Sequence, residues 1–199
     1  SAAVTMQAGN GSNAAFDDIT FVDSAGVKLH SSAGTNGDLF IDANPDRAVG
    51  GNLSITARAG NITQGAAVAV TGTSSFTTSA SDADITLSNT GNVFASAVTL
   101  STTGSTGHAT IDNGTTTLDI DTSSIGGDLT LISGHASGIT DSGNVTVGRN
   151  LVATTDAGNG VINMGTLRVD GTVALTTNGN GAATVVNDNG LTFAASTVR

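Results

Sequence analysis

Apolar and polar residues alternate with a period of two in many short stretches of the chain. Leu129 and Leu131 flank Thr130, and Val145 and Val147 flank a second threonine in the same way. Such alternation is typical of a strand that buries one face and exposes the other. Gly, Asn, Asp and Ser separate the stretches, as expected for turns between short strands. The pattern therefore predicts many short strands, each with an apolar row turned inward.

These strands recur at regular distances. The segment 50–56 returns as 126–132, which places Leu129 76 residues after Leu53. A fixed period usually marks a stack of like units. We interpret each unit as one coil of about 22 residues with three strands, paired in parallel with the coils above and below. The predicted columns of strands are led by Leu53, Phe76, Val98, Leu129, Leu151 and Val173; by Ile62, Ile85, Ile111, Ile139, Ile162 and Val185; and by Val68, Phe94, Leu118, Val145, Leu167 and Leu191.

One gap in the first column is longer than the others. It spans 31 residues, so residues 119–127 are predicted to form an inserted loop of about nine residues. The stretch around Pro45 has the same character, because both stretches lead from Ile-Asp into Gly-Gly. Insertions in stacked repeats leave on one face, which is often the binding face. The loops at Pro45 and Ser123, or an exposed row of strand residues, are therefore the candidates for binding contacts.

The start of the chain fits the coil register less well than the rest. The triplet 27–29 matches 98–100, whereas residues 1–26 have no clear counterpart. We therefore predict an N-terminal irregular or first-coil segment over residues 1–26. Residues 27–199 are predicted to form one continuous β-helix shaft.

Polar residues stand just before the first column of strands in several coils. Asn52, Asp128, Asn150 and Thr172 occupy this corner. Side chains that stack at one corner can hydrogen-bond from coil to coil along the rod. We predict such a corner ladder.

Composition narrows the fold and the class of partner. The chain has no Glu, Cys, Trp or Tyr and only one Lys, so strong helix formers are scarce and β-branched residues dominate. A net charge of −10 argues against a nucleic-acid partner, which needs clustered cations. No run of 18 apolar residues occurs, so the sequence predicts no membrane-spanning helix.

Candidate chemistry is sparse. No metal, nucleotide or nucleophile motif occurs, and we predict no enzyme and no catalytic, cofactor-binding or metal site. Three alternatives stay open. Incidental aspartates could take calcium. The pair Asp82 and Asp84 could hydrolyse a glycosidic bond in a polysaccharide-acting enzyme, although Trp and Tyr for sugar stacking are missing. A passive glycan-binding module is the third. The aspartate clusters are Asp17 with Asp18, Asp82 with Asp84, and Asp119 with Asp121.

Three further residue sets are weighed against a purely structural role. His30, His108 and His135 lie far apart, but stacking of their coils could bring His108 and His135 together; solvated turn histidines are the simpler interpretation. The phenylalanines Phe76, Phe94 and Phe193 fall on inward positions and are predicted to fill the core. An ice-binding face would need unbroken outward threonines, and the outward row of the first column is broken: Ser54, Thr99, Thr130, Val152 and Ala174.

The strings GGNLSITARAGNITQGAAVAV (50–70) and ASGITDSGNVTVGRNLVATT (136–155) resemble the repeats of filamentous-haemagglutinin-like exoproteins, the large secreted adhesins of Gram-negative bacteria. The resemblance implies a right-handed, three-sided parallel β-helix (β-solenoid) that is secreted to the bacterial outer cell surface. It also implies an outer-membrane β-barrel transporter as partner. The family's export domain carries NPNG-type and NPNL-type motifs, whereas here Asn44-Pro45 is followed by Asp46.

The resemblance and the coil pattern together give one functional expectation. The chain is expected to be a structural shaft segment that mediates attachment to a host or bacterial surface glycan or protein, or presents a distal binding domain. Unpaired strand edges at the rod ends are expected to favour end-to-end self-association.

Overall fold

The computed structural model of the protein describes residues 19–23, 27–30, 39–40, 49, 51–58 and 60–199. The Pro45 loop and the aspartates at 17 and 18 lie outside these residues, so the predictions for them stay predictions. The described residues contain 21 strands and no helix. The strands are β1 (Ile19–Asp23), β2 (Val27–His30), β3 (Leu39–Phe40), β4 (Leu53–Ala57), β5 (Ile62–Gln64), β6 (Ala69–Val70), β7 (Ser74–Ser81), β8 (Ile85–Leu87), β9 (Val93–Phe94), β10 (Val98–Thr103), β11 (Ala109–Asp112), β12 (Leu118–Ile120), β13 (Ser123–Ile125), β14 (Leu129–Ser133), β15 (Ile139–Asp141), β16 (Val145–Val147), β17 (Leu151–Thr155), β18 (Ile162–Val169), β19 (Thr172–Thr176), β20 (Ala183–Asn187) and β21 (Thr192–Phe193).

The strands stack in parallel into three sheets. Sheet 1 has ten strands and runs from β1 through β4, β7 and β10 into a part where short strands lie end to end. Sheet 2 has nine strands in the order β21-β19-β17-β14-β11-β8-β5-β2-β3. Sheet 3 is the pair β6 and β9. The predicted all-β parallel β-solenoid is confirmed, with about six turns.

Sheet 2 sets the period of the coil. Ile62 pairs with Ile85, Ala109 with Leu129, and Leu129 with Leu151. The chain therefore advances by 23, 20 and 22 residues at these steps, and the predicted coil length of about 22 residues is confirmed. No helix among the described residues is long and apolar enough to cross a membrane.

The predicted columns hold only for the first coils. Leu53 and Val98 lie in sheet 1, as the first column requires, but Leu129 and Val173 lie in sheet 2. The second column errs in the opposite direction, since Ile139 belongs to sheet 1 instead of sheet 2. The cause is that the Gly-Gly-Asn/Asp-Leu motif occurs at two different corners. It leads into sheet 1 at residue 53 and into sheet 2 at residue 129.

The predicted loop over residues 119–127 is wrong for the same reason. Ser123 and Ile125 are buried in strand β13, which pairs with β10 on one side and β16 on the other. These residues are an ordinary part of the coil, and the gap of 31 residues arose from comparing strands of two different sheets. Ser123 is therefore no loop for adhesive contacts.

A single apolar core runs through the stacked coils. Inward positions of the strands are filled by Leu, Ile, Val and Phe side chains that are almost fully buried. Phe76 and Phe94 pack edge to face inside it, with ring centroids 5.7 Å apart, as predicted for core residues. Phe193 is 56% exposed, contrary to prediction, because β21 is the end strand of sheet 2 and no coil covers it.

An asparagine side chain takes the place of a strand beside sheet 3. Asn113 Oδ1 accepts the backbone N–H of Phe94 at 2.7 Å. Asn113 Nδ2 donates to the carbonyl oxygens of Phe94 (3.0 Å) and Thr117 (2.8 Å). The fully buried Asn113 thus satisfies the backbone of β9 where the two-strand sheet ends.

Candidate functional site

The main polar feature of the described residues is a ladder of side chains along one corner of the rod. At each step an acceptor atom of one coil receives a backbone N–H of the next coil. Parallel stacking at a period of about 22 residues brings these positions together, because each precedes or opens a strand of sheet 2. We call this set the corner ladder; its members are Asn61, Asp84, His108, Asp128, Asn150 and Thr172.

The distances along the corner ladder are uniform. Asn61 Oδ1 accepts the N–H of Asp84 at 2.8 Å, and Asp84 Oδ1 accepts that of His108 at 2.8 Å. His108 Nδ1 accepts the N–H of Asp128 at 2.9 Å, and Asp128 Oδ1 accepts that of Asn150 at 3.0 Å. In the last step, Asn150 Oδ1 accepts the N–H of Thr172 at 3.0 Å. Five backbone donors at the starts of sheet 2 strands are thereby satisfied.

The predicted ladder is confirmed in part. Asp128, Asn150 and Thr172 are members, as predicted from the sequence. Asn52 belongs to another corner, where its Oδ1 accepts the N–H and the hydroxyl of Thr73 at 2.8 and 2.9 Å. The sequence prediction missed Asn61, Asp84 and His108 because it placed the strands that follow them in a different column from the strands that follow Asp128 and Asn150, whereas all these strands belong to sheet 2.

Replacing Asn150 by alanine is expected to lower the free energy of unfolding by about 2 kcal/mol. The change removes an acceptor for the N–H and hydroxyl of Thr172 (3.0 and 2.9 Å) and a bond from Nδ2 to Asp128 (2.9 Å). Thermal unfolding followed by circular dichroism measures the effect. Asn163→Ala, on an exposed outward position of β18, is the matched control and should leave the melting temperature almost unchanged. Equal melting temperatures for both variants would show that the corner ladder does not stabilise the fold.

The histidines are not brought together. His108 lies just before β11, and His135 lies just after β14, so they stand at opposite ends of two paired strands. His135 Nδ1 accepts the N–H of Ser137 at 3.0 Å and contacts the hydroxyl of Thr117 at 2.8 Å. The expectation that these two side chains approach each other is therefore wrong. For His30 the structure describes only the strand β2 to which it belongs.

The aspartates at 82 and 84 serve turns between coils. Asp82 has a positive φ of 61° and accepts the N–H of Thr106 at 2.9 Å. The hydrogen bonds from Thr106 and from the Ser81 hydroxyl hold the pKa of Asp82 below its ordinary value. Asp84 is engaged in the corner ladder. The polysaccharide-enzyme alternative stays a prediction, and hydrolysis of a polysaccharide by the native chain but not by Asp84→Asn would support it.

The other calcium candidates are also engaged within the chain. Asp119 accepts a hydrogen bond from the Thr140 hydroxyl at 3.3 Å, and Asp121 accepts the N–H of Thr122 at 2.6 Å. Among the described residues, no group of three or more His, Cys, Asp or Glu side chains is placed to hold a metal ion.

Asp112 is more deeply buried than these aspartates. It is only 6% exposed, and burial raises the pKa of its carboxyl despite the hydrogen bond that Oδ1 accepts from the Gly114 N–H. The nearby charge of Asp156 raises the pKa further. A carboxyl whose pKa is higher in the folded chain than in the unfolded chain costs stability when it is charged. That cost is present above the folded-state pKa and disappears as the pH falls through it.

Asp112→Asn is therefore expected to raise the melting temperature at neutral pH, with a gain that shrinks in acid. The asparagine oxygen can still accept the Gly114 N–H, so only the charge is removed. Asp82→Asn is the contrasting control. Because the pKa of Asp82 is lowered, its charge contributes stability above the unfolded-state pKa, and this contribution is lost as the pH falls through the folded-state pKa. If both variants changed the melting temperature in the same direction at neutral pH, the opposite pKa shifts of Asp112 and Asp82 would be contradicted.

Hydroxyl side chains cover the outer faces of the two large sheets. They occupy outward positions in register from coil to coil, and none of them makes a side-chain hydrogen bond to the described part of the chain. On sheet 1 they are Ser54, Ser75 and Thr99 in one row and Thr56, Thr77, Ser101, Ser124 and Thr146 in another; on sheet 2 they are Thr63, Thr86, Thr110 and Thr130.

The row considered for ice binding is split by this register. Ser54 and Thr99 face outward from sheet 1, whereas Thr130 lies in sheet 2, where it is followed by Val152 and Ala174. The unbroken threonine row of sheet 2 is one residue wide. Sheet 1 has two neighbouring rows, but both mix serine with threonine. Ice binding stays a prediction that a thermal-hysteresis measurement can test.

Comparison with known proteins adds one similarity. A family model described as "Repeats of unknown function (DUF5649)" matches residues 17–101, which is under half of the 199 residues. The matched part contains strands β1 to β9 and the start of β10. No curated protein and no solved structure matches the chain.

Proposed function

We propose that the chain is a structural shaft segment of a large secreted bacterial surface adhesin. The observation that supports this proposal most strongly is the single apolar core that continues from coil to coil. One coil buries too little apolar surface to offset the backbone entropy of ordering it, so stability grows with the number of coils. A rod of this kind provides length and stiffness, which are the properties that a shaft needs.

The outer surface fits a spacing role. The sheet faces carry free hydroxyl groups, while the corner ladder and the turns use their polar groups to join adjacent coils. With a net charge of −10, neighbouring rods repel one another and remain in solution. The resemblance to filamentous-haemagglutinin-like repeats supports the bacterial cell surface as the location and an outer-membrane β-barrel transporter as the partner. A surface glycan or protein would then be bound by this shaft or by a more distal domain.

The first experiment tests location. Intact bacterial cells that make the parent protein are labelled with an antibody raised against this chain, before and after external protease treatment. We expect labelling of intact cells and its loss after protease. Labelling that requires cell lysis would contradict a surface shaft.

The second experiment tests whether the chain acts as a spacer or as a binding module. Deletion of residues 129–150 removes one coil and joins Asp128 to Leu151, two residues that border the same corner and the same sheet. If the chain is a spacer, we expect the purified chain to stay folded and the attachment of whole cells to change little, because one coil shortens the rod by only about 4.8 Å. Thr130→Ser with Thr146→Ser keeps the length and should leave attachment unchanged. If the deletion instead abolishes binding of the purified chain to a surface glycan, the chain is a binding module and not a spacer.

A further inference from the structure

One rung of the corner ladder depends on a histidine. Nδ1 of His108 accepts the backbone N–H of Asp128 at 2.9 Å, the role that side-chain oxygens have at the other rungs. A ring nitrogen can accept a hydrogen bond only while it carries no proton. The rung therefore requires a ring whose single proton lies on Nε2.

The carboxylate of Asp128 lies beside this ring, and solvent reaches the ring. The side chain of His108 is 37% exposed, and its Nδ1 lies 3.3 Å from Oδ2 of Asp128. Asp84 of the preceding coil accepts the backbone N–H of His108 at 2.8 Å, and Asp82 lies two residues before Asp84. On the next coil but one, Nε of Arg149 lies 3.8 Å from Oδ1 of Asp128. A protonated ring thus has an anionic acceptor within reach on the same residue whose N–H it now binds.

We propose that His108 is an acid-sensitive joint between two coils of the rod. When Nδ1 takes a proton from water, the ring changes partner from the backbone N–H of Asp128 to the Oδ2 carboxylate oxygen of Asp128. The Asp128 N–H then loses its acceptor, and this one rung opens. The inference does not depend on the proposed shaft function.

Chemistry confines the effect to one rung. Histidine is the only side-chain type in the ladder that ordinarily changes charge between about pH 5 and 8. Amide groups do not titrate, and carboxylates ordinarily stay ionised above about pH 5. Backbone bonds on both sides of the joint persist, from the Gly127 N–H to Gly107 and from the Ala109 N–H to Asp128, both at 2.9 Å. The joint therefore loosens without separating the coils.

Hydrogen exchange of individual amides, measured by NMR and expressed as protection factors, tests the proposal. Between about pH 7.5 and about pH 5.5, protection of the Asp128 amide should fall roughly tenfold, while the amides of His108 and Asn150 should keep theirs. Those two amides are matched controls, because carboxylates of Asp84 and Asp128 accept from them. The ¹⁵N shift of His108 Nδ1 reports protonation of the ring in the same samples.

A variant that cannot titrate provides the decisive comparison. Asn61 and Asn150 already present Oδ1 to the next coil at this corner, so His108→Asn should keep the rung closed at both pH values. His135→Asn should retain the pH response, since His135 accepts a bond from Ser137 within its own turn. A ring that becomes protonated while the Asp128 amide stays protected would overturn the proposal. The same loss of protection in His108→Asn would overturn it as well, and the chemical-shift result in the native chain stands even if that variant fails to fold.

Discussion

Replacing Gly138 by alanine is expected to destabilise the fold by more than about 4 kcal/mol. Gly138 has a φ of +63°, a conformation that disfavours every residue with a Cβ. An added Cβ would also overlap with the carbonyl oxygen of Val161 on the next coil. That oxygen accepts the N–H of Ile139 at 2.9 Å, so relief of the overlap would break a bond between coils. Chemical denaturation monitored by circular dichroism measures the loss.

Gly165→Ala is the control for this prediction. An added Cβ at Gly165 meets nothing within 4 Å, and its φ lies outside the left-handed region. Its effect should stay within about 0.5 kcal/mol, as for other surface substitutions. Similar losses for the two variants would show that glycine content in general, and not the tight contact at Gly138, governs stability.

Replacing Asn113 by alanine is the second large expected effect, a loss of about 3–5 kcal/mol. The change leaves the buried N–H and carbonyl of Phe94 and the carbonyl of Thr117 without a partner from this side chain. No solvent reaches the site to replace these bonds, because Asn113 is fully buried. The free energy of unfolding, from denaturation curves, again gives the measurement.

Two comparisons sharpen the Asn113 prediction. Asn180→Ala removes an exposed side chain at a turn where only the backbone N–H is used, so it should cost little. Asn113→Leu keeps the volume but not the hydrogen bonds and should be about as destabilising as the alanine variant. If leucine restored native stability, packing and not backbone satisfaction would be the role of Asn113.

The fold class could be predicted because it depends on local signals. Alternation in strands such as β14 and β16 reports one buried face, and turn residues report the bends between them. Each coil repeats these signals, so errors in single strands do not change the conclusion. The core positions Phe76 and Phe94 follow from the same alternation.

The sheet to which each strand belongs could not be predicted from the same signals. The Gly-Gly motif before Leu53 and that before Leu129 specify a turn followed by a strand, but not which corner of the coil the turn occupies. Only pairing with the neighbouring coils settles this, and pairing is a non-local property. Comparing the two motifs as equivalents produced a false insertion and moved every later strand to the wrong column.

The corner ladder illustrates the same division. Asp128 and Asn150 precede apolar strand starts 22 residues apart and were found from that spacing. His108 was missed because the strand that follows it was placed in a different column from the strands that follow Asp128 and Asn150, although all three strands belong to sheet 2. The spacing of the chain does indicate this position, since His108 stands 24 residues after Asp84 and 20 before Asp128, directly before a strand.

Paired cysteines test the register of the stack most directly, because the chain has no cysteine of its own. Thr110 and Thr130 are partners on β11 and β14, so Thr110→Cys with Thr130→Cys should form a disulfide on mild oxidation, since adjacent strands lie within disulfide reach. Thr99 lies on sheet 1, so Thr99→Cys with Thr130→Cys should stay reduced. Rapid oxidation of the second pair, with none of the first, would contradict the stacking of coils described above.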